Sequence, residues 1–118
     1  MNVRSLKRNF ENLQTDLLNE LGYPFNIIEI TETRITENDQ PGYHPSIPGY
    51  RFEYAPTPLA AGGVGMFIDE NLKYRVIEKI SSHAFQALWV ELQFERTSNI
   101  ICGVIYRLRT LRLILMKP

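Results

Sequence analysis

Short apolar segments separated by turn-forming residues make up most of this sequence, and they restrict the chain to a fold built largely from β-strands. In residues 85–94, every second side chain from Leu88 to Leu92 is aliphatic, which is the alternation of a strand with one buried face. Further strands are predicted at residues 25–30, 50–54, 64–68, 74–80 and 100–106. We expect the last of these to be the most buried, because it is almost continuously apolar.

One helix precedes the strands. Residues 5–21 carry apolar side chains at the spacing of a single helical face: Leu6, Phe10, Leu13, Leu17, Leu18 and Leu21. Gly22 and Pro24 then end the helix. Residues 38–58 are rich in proline and predict a long loop with one short strand inside it. Together these patterns predict an α+β chain.

Composition restricts the class of protein further. At 118 residues and 44% hydrophobic content, the chain is long enough for one globular domain and too short for two. Its net charge of zero gives no sign of nucleic-acid or membrane binding. The single cysteine, Cys102, predicts a small buried side chain and not a disulfide. With no signal peptide and no membrane span, we expect an intracellular protein, in the nucleus or the cytoplasm.

Several short motifs have an informative order along the chain. Four stretches are Asn2-Val3-Arg4-Ser5-Leu6, Ile30-Thr31-Glu32-Thr33, Gly62-Gly63-Val64-Gly65-Met66-Phe67-Ile68 and Gly103-Val104-Ile105-Tyr106-Arg107. Between them lie Ile47-Pro48-Gly49-Tyr50 and Leu88-Trp89-Val90-Glu91-Leu92. In this order and spacing the sequence resembles the endonuclease/exonuclease/phosphatase superfamily. Within that superfamily it is similar to the endonuclease domains of LINE-type non-LTR retrotransposons, from Asn2 to about Arg107.

The resemblance implies a truncated deoxyribonuclease-I-like fold, which is a partial two-sheet β-sandwich with an early flanking helix. Glu32 matches the family's ligand of the catalytic Mg²⁺, and Asn2 the asparagine that orients the metal and the scissile phosphate. Tyr106 matches a tyrosine that contacts the phosphate, and Arg107 is its usual neighbour. The chemistry suits these roles, because Mg²⁺ prefers carboxylate oxygen and a tyrosine hydroxyl can donate to a phosphoryl oxygen.

The residues by themselves leave ordinary structural roles open. Glu32 could be a solvated strand end, Tyr106 a wall of the core with its hydroxyl outward, and Arg107 a surface charge. We interpret His44 and His83 as loop residues. The Gly62–Gly65 cluster predicts a hairpin, and Trp89 predicts a core side chain.

The family's second half is not present in these 118 residues. It contains a Gly-Asp-Phe-Asn motif and a Ser-Asp-His motif, and the family usually continues Tyr-Arg-Pro-Pro where this chain has Leu108 and Arg109 after Arg107. We therefore predict that residues 1–107 form the first half of a Mg²⁺-dependent DNA endonuclease domain, inactive alone, and that residues 108–118 form a divergent basic and apolar tail. We also expect the chain to self-associate through the sheet surface of residues 1–107 that the second half of the family's domain would cover. The alternatives are a non-catalytic remnant that binds nucleic acid or a protein partner, and an inert fragment.

Overall fold

The computed structural model describes residues 1–20, 26–39 and 45–107. The described residues form one α-helix, α1 (Leu6–Glu20), and a short 3-10 helix (Glu37–Asp39). They also form six strands: β1 (Ile27–Thr31), β2 (Tyr50–Ala55), β3 (Val64–Asp69), β4 (Tyr74–Ser81), β5 (Phe85–Leu92) and β6 (Ile100–Arg107). The predictions for the helix end at Gly22 and Pro24, for His44 and for residues 108–118 fall outside these ranges. Within them, no helix is long and apolar enough to cross a bilayer.

The strands form two three-stranded sheets in which all neighbours are antiparallel. Sheet A has the order β1-β3-β2, and sheet B has the order β4-β5-β6. The start of the chain adds to the free edge of β1, where Asn2 makes an isolated parallel bridge with Thr31. Val3 N donates a hydrogen bond of 3.0 Å to Thr31 O. The first residues of the chain are thereby fixed beside the end of β1.

One hydrophobic core lies between the two sheets. It consists of alternate side chains from both: Ala55, Val64, Met66 and Ile68 from sheet A, and Leu88, Val90, Leu92 and Val104 from sheet B. Half-buried Cys102 packs against this cluster, and burial raises the pKa of its thiol. The alternation in β5 predicted from the sequence is therefore confirmed, since Leu88, Val90 and Leu92 all face the partner sheet.

Helix α1 covers the other face of sheet A. Leu6 and Leu13 are buried in a second cluster with Ile28, Ile30 and Phe67. The layers are thus helix, sheet A and sheet B, which confirms the α+β class with an early flanking helix and two packed sheets. The deoxyribonuclease-I-like identity stays a prediction.

Two predictions about sheet B are wrong. β6 is not the most buried strand: it is an edge strand, and the side chains of Ile101 and Ile105 are 60% and 52% exposed. The most buried strand is the central one of sheet A, β3. Trp89 is only half-buried, because it alternates with Leu88 and Val90 and so lies on the outer face, where its ring covers Gly103.

Candidate functional site

One end of the sandwich gathers strand ends from both sheets. In sheet A, Thr31 and Ala55 both pair with Val64 at the start of β3. In sheet B, Gln86 near the start of β5 pairs with Tyr106. We call this end the sheet corner and define it by Asn2, residues 31–34, Gly62, Gly63, Gln86, Tyr106 and Arg107. Every residue that the sequence predicted for a site belongs to it.

Buried Gln86 joins the two sheets at the sheet corner. Its side chain is 1% exposed, and its Oε1 accepts a hydrogen bond of 2.9 Å from Gly63 N. Its Nε2 donates to Ser82 O at 2.8 Å, so both ends of the amide are used. A buried amide satisfied in this way holds neighbouring segments in one arrangement. Sequence reasoning missed Gln86, although a polar side chain on the apolar face of β5 is an identifiable signal.

Gly62 allows the two sheets to approach closely. Its φ is +97°, in the left-handed region that glycine adopts without steric cost. A β-carbon at this position would lie 2.3 Å from Gln86 Oε1 and 3.1 Å from the ring of Tyr106. No larger residue fits there without displacing the buried amide. The Gly62–Gly65 cluster, predicted as a hairpin, therefore lies where the β2–β3 connection enters β3, and Gly62 also contacts sheet B.

The segment that carries Glu32 is held on two sides. Glu32 O accepts from Ser5 N at 2.7 Å, next to the start of α1. On the other side, Thr33 N donates to Gly63 O at 3.2 Å and Arg34 N donates to Gly62 O at 2.8 Å. Buried Thr33 separates two residues in the left-handed region, Glu32 with φ 57° and Arg34 with φ 56°. Non-glycine residues keep this costly conformation only when their surroundings impose it, and such residues cluster at functional sites.

Glu32 follows directly after β1, as predicted, and it is half-buried. Its carboxylate forms no ion pair with a described residue. In residues 1–20, 26–39 and 45–107, no three acidic, histidine or cysteine side chains come together. A cation at Glu32 would therefore be held largely by water, and Mg²⁺ usually keeps several water ligands when it binds a protein.

Asn2 lies beside Glu32 through its bridge to Thr31. Its Oδ1 accepts a hydrogen bond of 3.1 Å from Arg4 N, which forms a local turn. Its Nδ2 has no partner among the described residues, so the side chain is fixed at its oxygen and keeps a donor for a ligand. An amide with a free donor can bind a phosphate oxygen but is a weaker choice as a metal ligand.

Tyr106 and Arg107 end β6 at the sheet corner. The Tyr106 ring is half-buried and packs against the inter-sheet core, and Arg107 is exposed and pairs in register with Phe85. Tyr106 therefore has at least part of the structural role that the sequence analysis gave as its alternative, a side chain that forms a wall of the core. The same contact places its ring beside Gly62, one hydrogen bond away from Arg34.

Arg34 is the second residue that sequence reasoning missed. Its Nε is buried and has no hydrogen-bond partner among the described residues. No described carboxylate lies within ion-pair distance of it. Leaving a buried donor unsatisfied costs about 1–3 kcal/mol, and more when the group is charged. Only its position two residues after Glu32 could have drawn attention to it in the sequence.

Comparison with known proteins adds no relative to this description. No protein-family model matches the sequence, and no curated protein is significantly similar to it. Membership of the endonuclease/exonuclease/phosphatase superfamily therefore stays a prediction. Any functional assignment depends on the geometry of the sheet corner itself.

Proposed function

We propose that the chain is part of a Mg²⁺-dependent endonuclease that nicks DNA, of the deoxyribonuclease-I-like kind that primes reverse transcription in LINE-type retrotransposons. One observation supports this above all. The strand ends that carry Asn2, Glu32, Tyr106 and Arg107 lie at the same end of a two-sheet sandwich. Such an enzyme acts on chromosomal DNA, which is consistent with the intracellular location expected from the sequence.

The four residues offer complementary chemistry to a phosphodiester. The carboxylate of half-buried Glu32 would bind the cation together with water, and the cation would neutralise charge on the phosphate. Asn2 has a free Nδ2 donor, and Tyr106 has a hydroxyl that can donate to a phosphate oxygen. Arg107 is exposed and adds positive charge next to them.

The same four residues cannot complete the reaction. Hydrolysis also needs a water molecule held by a general base. Glu32 is the one carboxylate among them, and a carboxylate bound to the cation is not free to take a proton. His83, the one described histidine, lies in the exposed β4–β5 connection and matches no family position. We therefore expect the chain alone to bind DNA and not to cut it.

Manganese, a paramagnetic substitute for Mg²⁺, tests the cation site directly. We expect Mn²⁺ to broaden the amide NMR signals of Thr31, Glu32 and Thr33 first, and Glu32→Gln to remove this effect. Glu95→Gln, in the exposed β5–β6 connection, is the matched control and should leave the broadening unchanged. Broadening that is the same in wild type and Glu32→Gln would contradict a cation site at Glu32.

A plasmid assay tests the predicted lack of activity. The purified chain with Mg²⁺ and supercoiled plasmid should give no nicked product above a buffer control, because a general base is missing from the four residues. Mg²⁺-dependent nicking that disappears in Glu32→Ala would show that this chain cuts DNA without any addition.

A further inference from the structure

We infer that Arg34 forms a second phosphate-binding position in the sheet corner, next to Tyr106, and that its ligand is the backbone phosphate of a nucleic acid. This inference rests on the proposed function for the choice of a nucleic acid. The binding position itself is argued from the structure. Neither the sequence motifs nor the resemblance assigned a role to Arg34.

The first step is the state of the guanidinium group. The guanidinium group of an arginine is a planar cation with several N–H donors. The Nε–H of Arg34 is buried without an acceptor among the described residues, whereas the side chains of Lys7 and Arg75 each reach a carboxylate. Arg34 as a whole is half-buried, so a ligand, an ion or an ordered water that meets its guanidinium would satisfy this donor.

The second step is the rigidity of the backbone beneath it. Arg34 N is bonded to Gly62 O at 2.8 Å, and the following residue Ile35 accepts from Thr57 N at 2.8 Å. The left-handed φ of 56° at Arg34 fixes the direction in which the side chain leaves the chain. The position is thereby organised before any ligand binds, which lowers the entropy cost of binding.

The third step is the neighbourhood. Glu32 is two residues away and does not form an ion pair with Arg34. A carboxylate and a guanidinium that are close in sequence but unpaired can serve a cation and an anion separately. The ring of Tyr106 lies beside Gly62, and the Gly62 carbonyl accepts a hydrogen bond from the backbone N–H of Arg34. A phosphate between them could accept from the Arg34 guanidinium and from the Tyr106 hydroxyl.

The ligand class follows from the donor geometry. A guanidinium presents two N–H groups in a planar fork that matches two oxygens of one phosphate. Free inorganic phosphate offers the same oxygens as a nucleic-acid backbone, so the two sources have to be separated by experiment. The backbone is favoured because Asn2 and Arg107 lie in the same sheet corner and supply donors for neighbouring phosphates.

The arginine Nε–H group gives a direct NMR signal, which can be assigned to Arg34 by its loss in Arg34→Lys. We expect a 12-base-pair DNA duplex, added without divalent metal, to shift this signal and slow its exchange with water. The signal of Arg96, in the exposed connection between β5 and β6, should not move. An Arg34 signal that does not change when the duplex is added overturns the inference. So does a signal that responds to inorganic phosphate but not to the duplex.

The salt dependence of DNA binding supplies a second measurement. Each phosphate contact contributes about 0.9 to the slope of log K against log salt for duplex DNA. Arg34→Gln should reduce this slope by about 1, whereas Arg96→Gln, which removes the same charge, should leave it unchanged. Arg34→Lys keeps the charge and should keep the slope while weakening binding several-fold.

Circular dichroism of each variant shows whether it is folded, and if Arg34→Gln is not, Arg34→Lys carries the test through its loss of affinity. Equal slopes for wild type and folded Arg34→Gln, unchanged affinity in folded Arg34→Lys, or no DNA binding by the wild-type chain would each overturn the inference. Because no divalent metal is present, these results are independent of the Mn²⁺ experiment. A response at Arg34 without Mn²⁺ binding at Glu32 would leave the phosphate position standing and remove the endonuclease proposal.

Discussion

Gly49 and Gly63 have nearly the same backbone conformation in very different surroundings. Their φ values are +87° and +88°. A β-carbon on Gly49 would meet no atom within 4 Å, whereas on Gly63 it would lie 2.4 Å from Thr33 Oγ1. Alanine therefore loses the freedom of glycine at both positions, but only at Gly63 does it also displace the buried threonine beside Glu32.

We expect Gly49→Ala to lower the free energy of unfolding by about 1–2 kcal/mol, the cost of a left-handed conformation for a residue with a β-carbon. Gly63→Ala should cost about 1–3 kcal/mol more, because it also overpacks a filled site. Urea unfolding of both variants measures the difference. Equal losses would show that Thr33 moves aside freely.

Glu29 gives the stability of the chain a dependence on pH. Partial burial on β1 raises the pKa of this carboxyl above 4.5, and the nearby N-terminal ammonium only partly opposes the shift. The fold therefore binds more protons than the unfolded chain between pH 4.5 and the raised pKa. The contribution of Glu29 to stability is fully present below pH 4.5 and is lost as the pH rises through the folded pKa.

Glu29→Gln removes this titration. We expect the variant to be more stable than wild type at pH 7, and the advantage to shrink as the pH falls towards 4.5. Urea midpoints measured across this range, with Glu95→Gln as an exposed control, report the difference. An advantage that is constant with pH would attribute the effect to packing and not to the charge of Glu29.

At the scale of the elements, periodicity was enough to place α1 and the six described strands within two residues of their bounds in the structure. Strand order was not predictable in the same way. β6 is nearly all apolar, which is the local pattern of a central strand, yet it is exposed because β5 is its one neighbour in sheet B among the described strands. The pairing of strands is a property of the tertiary fold and cannot be predicted from the apolar pattern of one segment.

The candidate site shows the same division. The sequence placed Glu32 at the end of a strand, and the structure confirms that position. The sheet corner also depends on Gln86 and Arg34, whose importance comes from contacts across long stretches of chain: Gln86 with Gly63, and Arg34 with Gly62. A buried donor without an acceptor can be recognised only after folding has excluded every alternative partner.

The contact between β5 and β6 can be followed through Trp89, the single tryptophan of the chain. A β-carbon on Gly103 would lie 2.2 Å from the Trp89 ring, so Gly103→Ala must move the ring towards solvent. We expect its fluorescence emission to shift to longer wavelength, with little loss of stability because the ring can rotate away. Gly49→Ala should leave the emission unchanged, and an unshifted spectrum in Gly103→Ala would show that the backbone moves instead.

At the scale of the whole molecule, the layers are unequal. Helix α1 covers sheet A, but no described element covers the outer face of sheet B. Ile101 and Ile105 lie exposed on β6, and this edge strand carries no charged residue before Arg107. Edge strands without charges or proline readily pair with other chains. Self-association through this surface stays a prediction, and it has a specific test.

We expect the chain to form dimers or larger species in analytical ultracentrifugation, and the double variant Ile101→Lys with Ile105→Lys to sediment as a monomer. Lysines at these positions would have to lose their hydration in an apolar contact. Ser98→Lys, in the exposed β5–β6 connection, adds charge without removing apolar surface and serves as the control. A wild-type chain that is monomeric at high concentration would refute the prediction.

The hydrogen bond between Gly63 and Gln86 joins the two sheets at the sheet corner, and a ligand bound there would add a second link between them. A phosphate bound between Arg34 and Tyr106 would join the segment that follows β1 to the end of β6, so the two sheets could not separate there without releasing it. Occupancy at 100 times the dissociation constant would then add about 2.7 kcal/mol to every opening that separates the layers. Amide hydrogen exchange should therefore slow by a similar factor in the interiors of both sheets when the ligand binds.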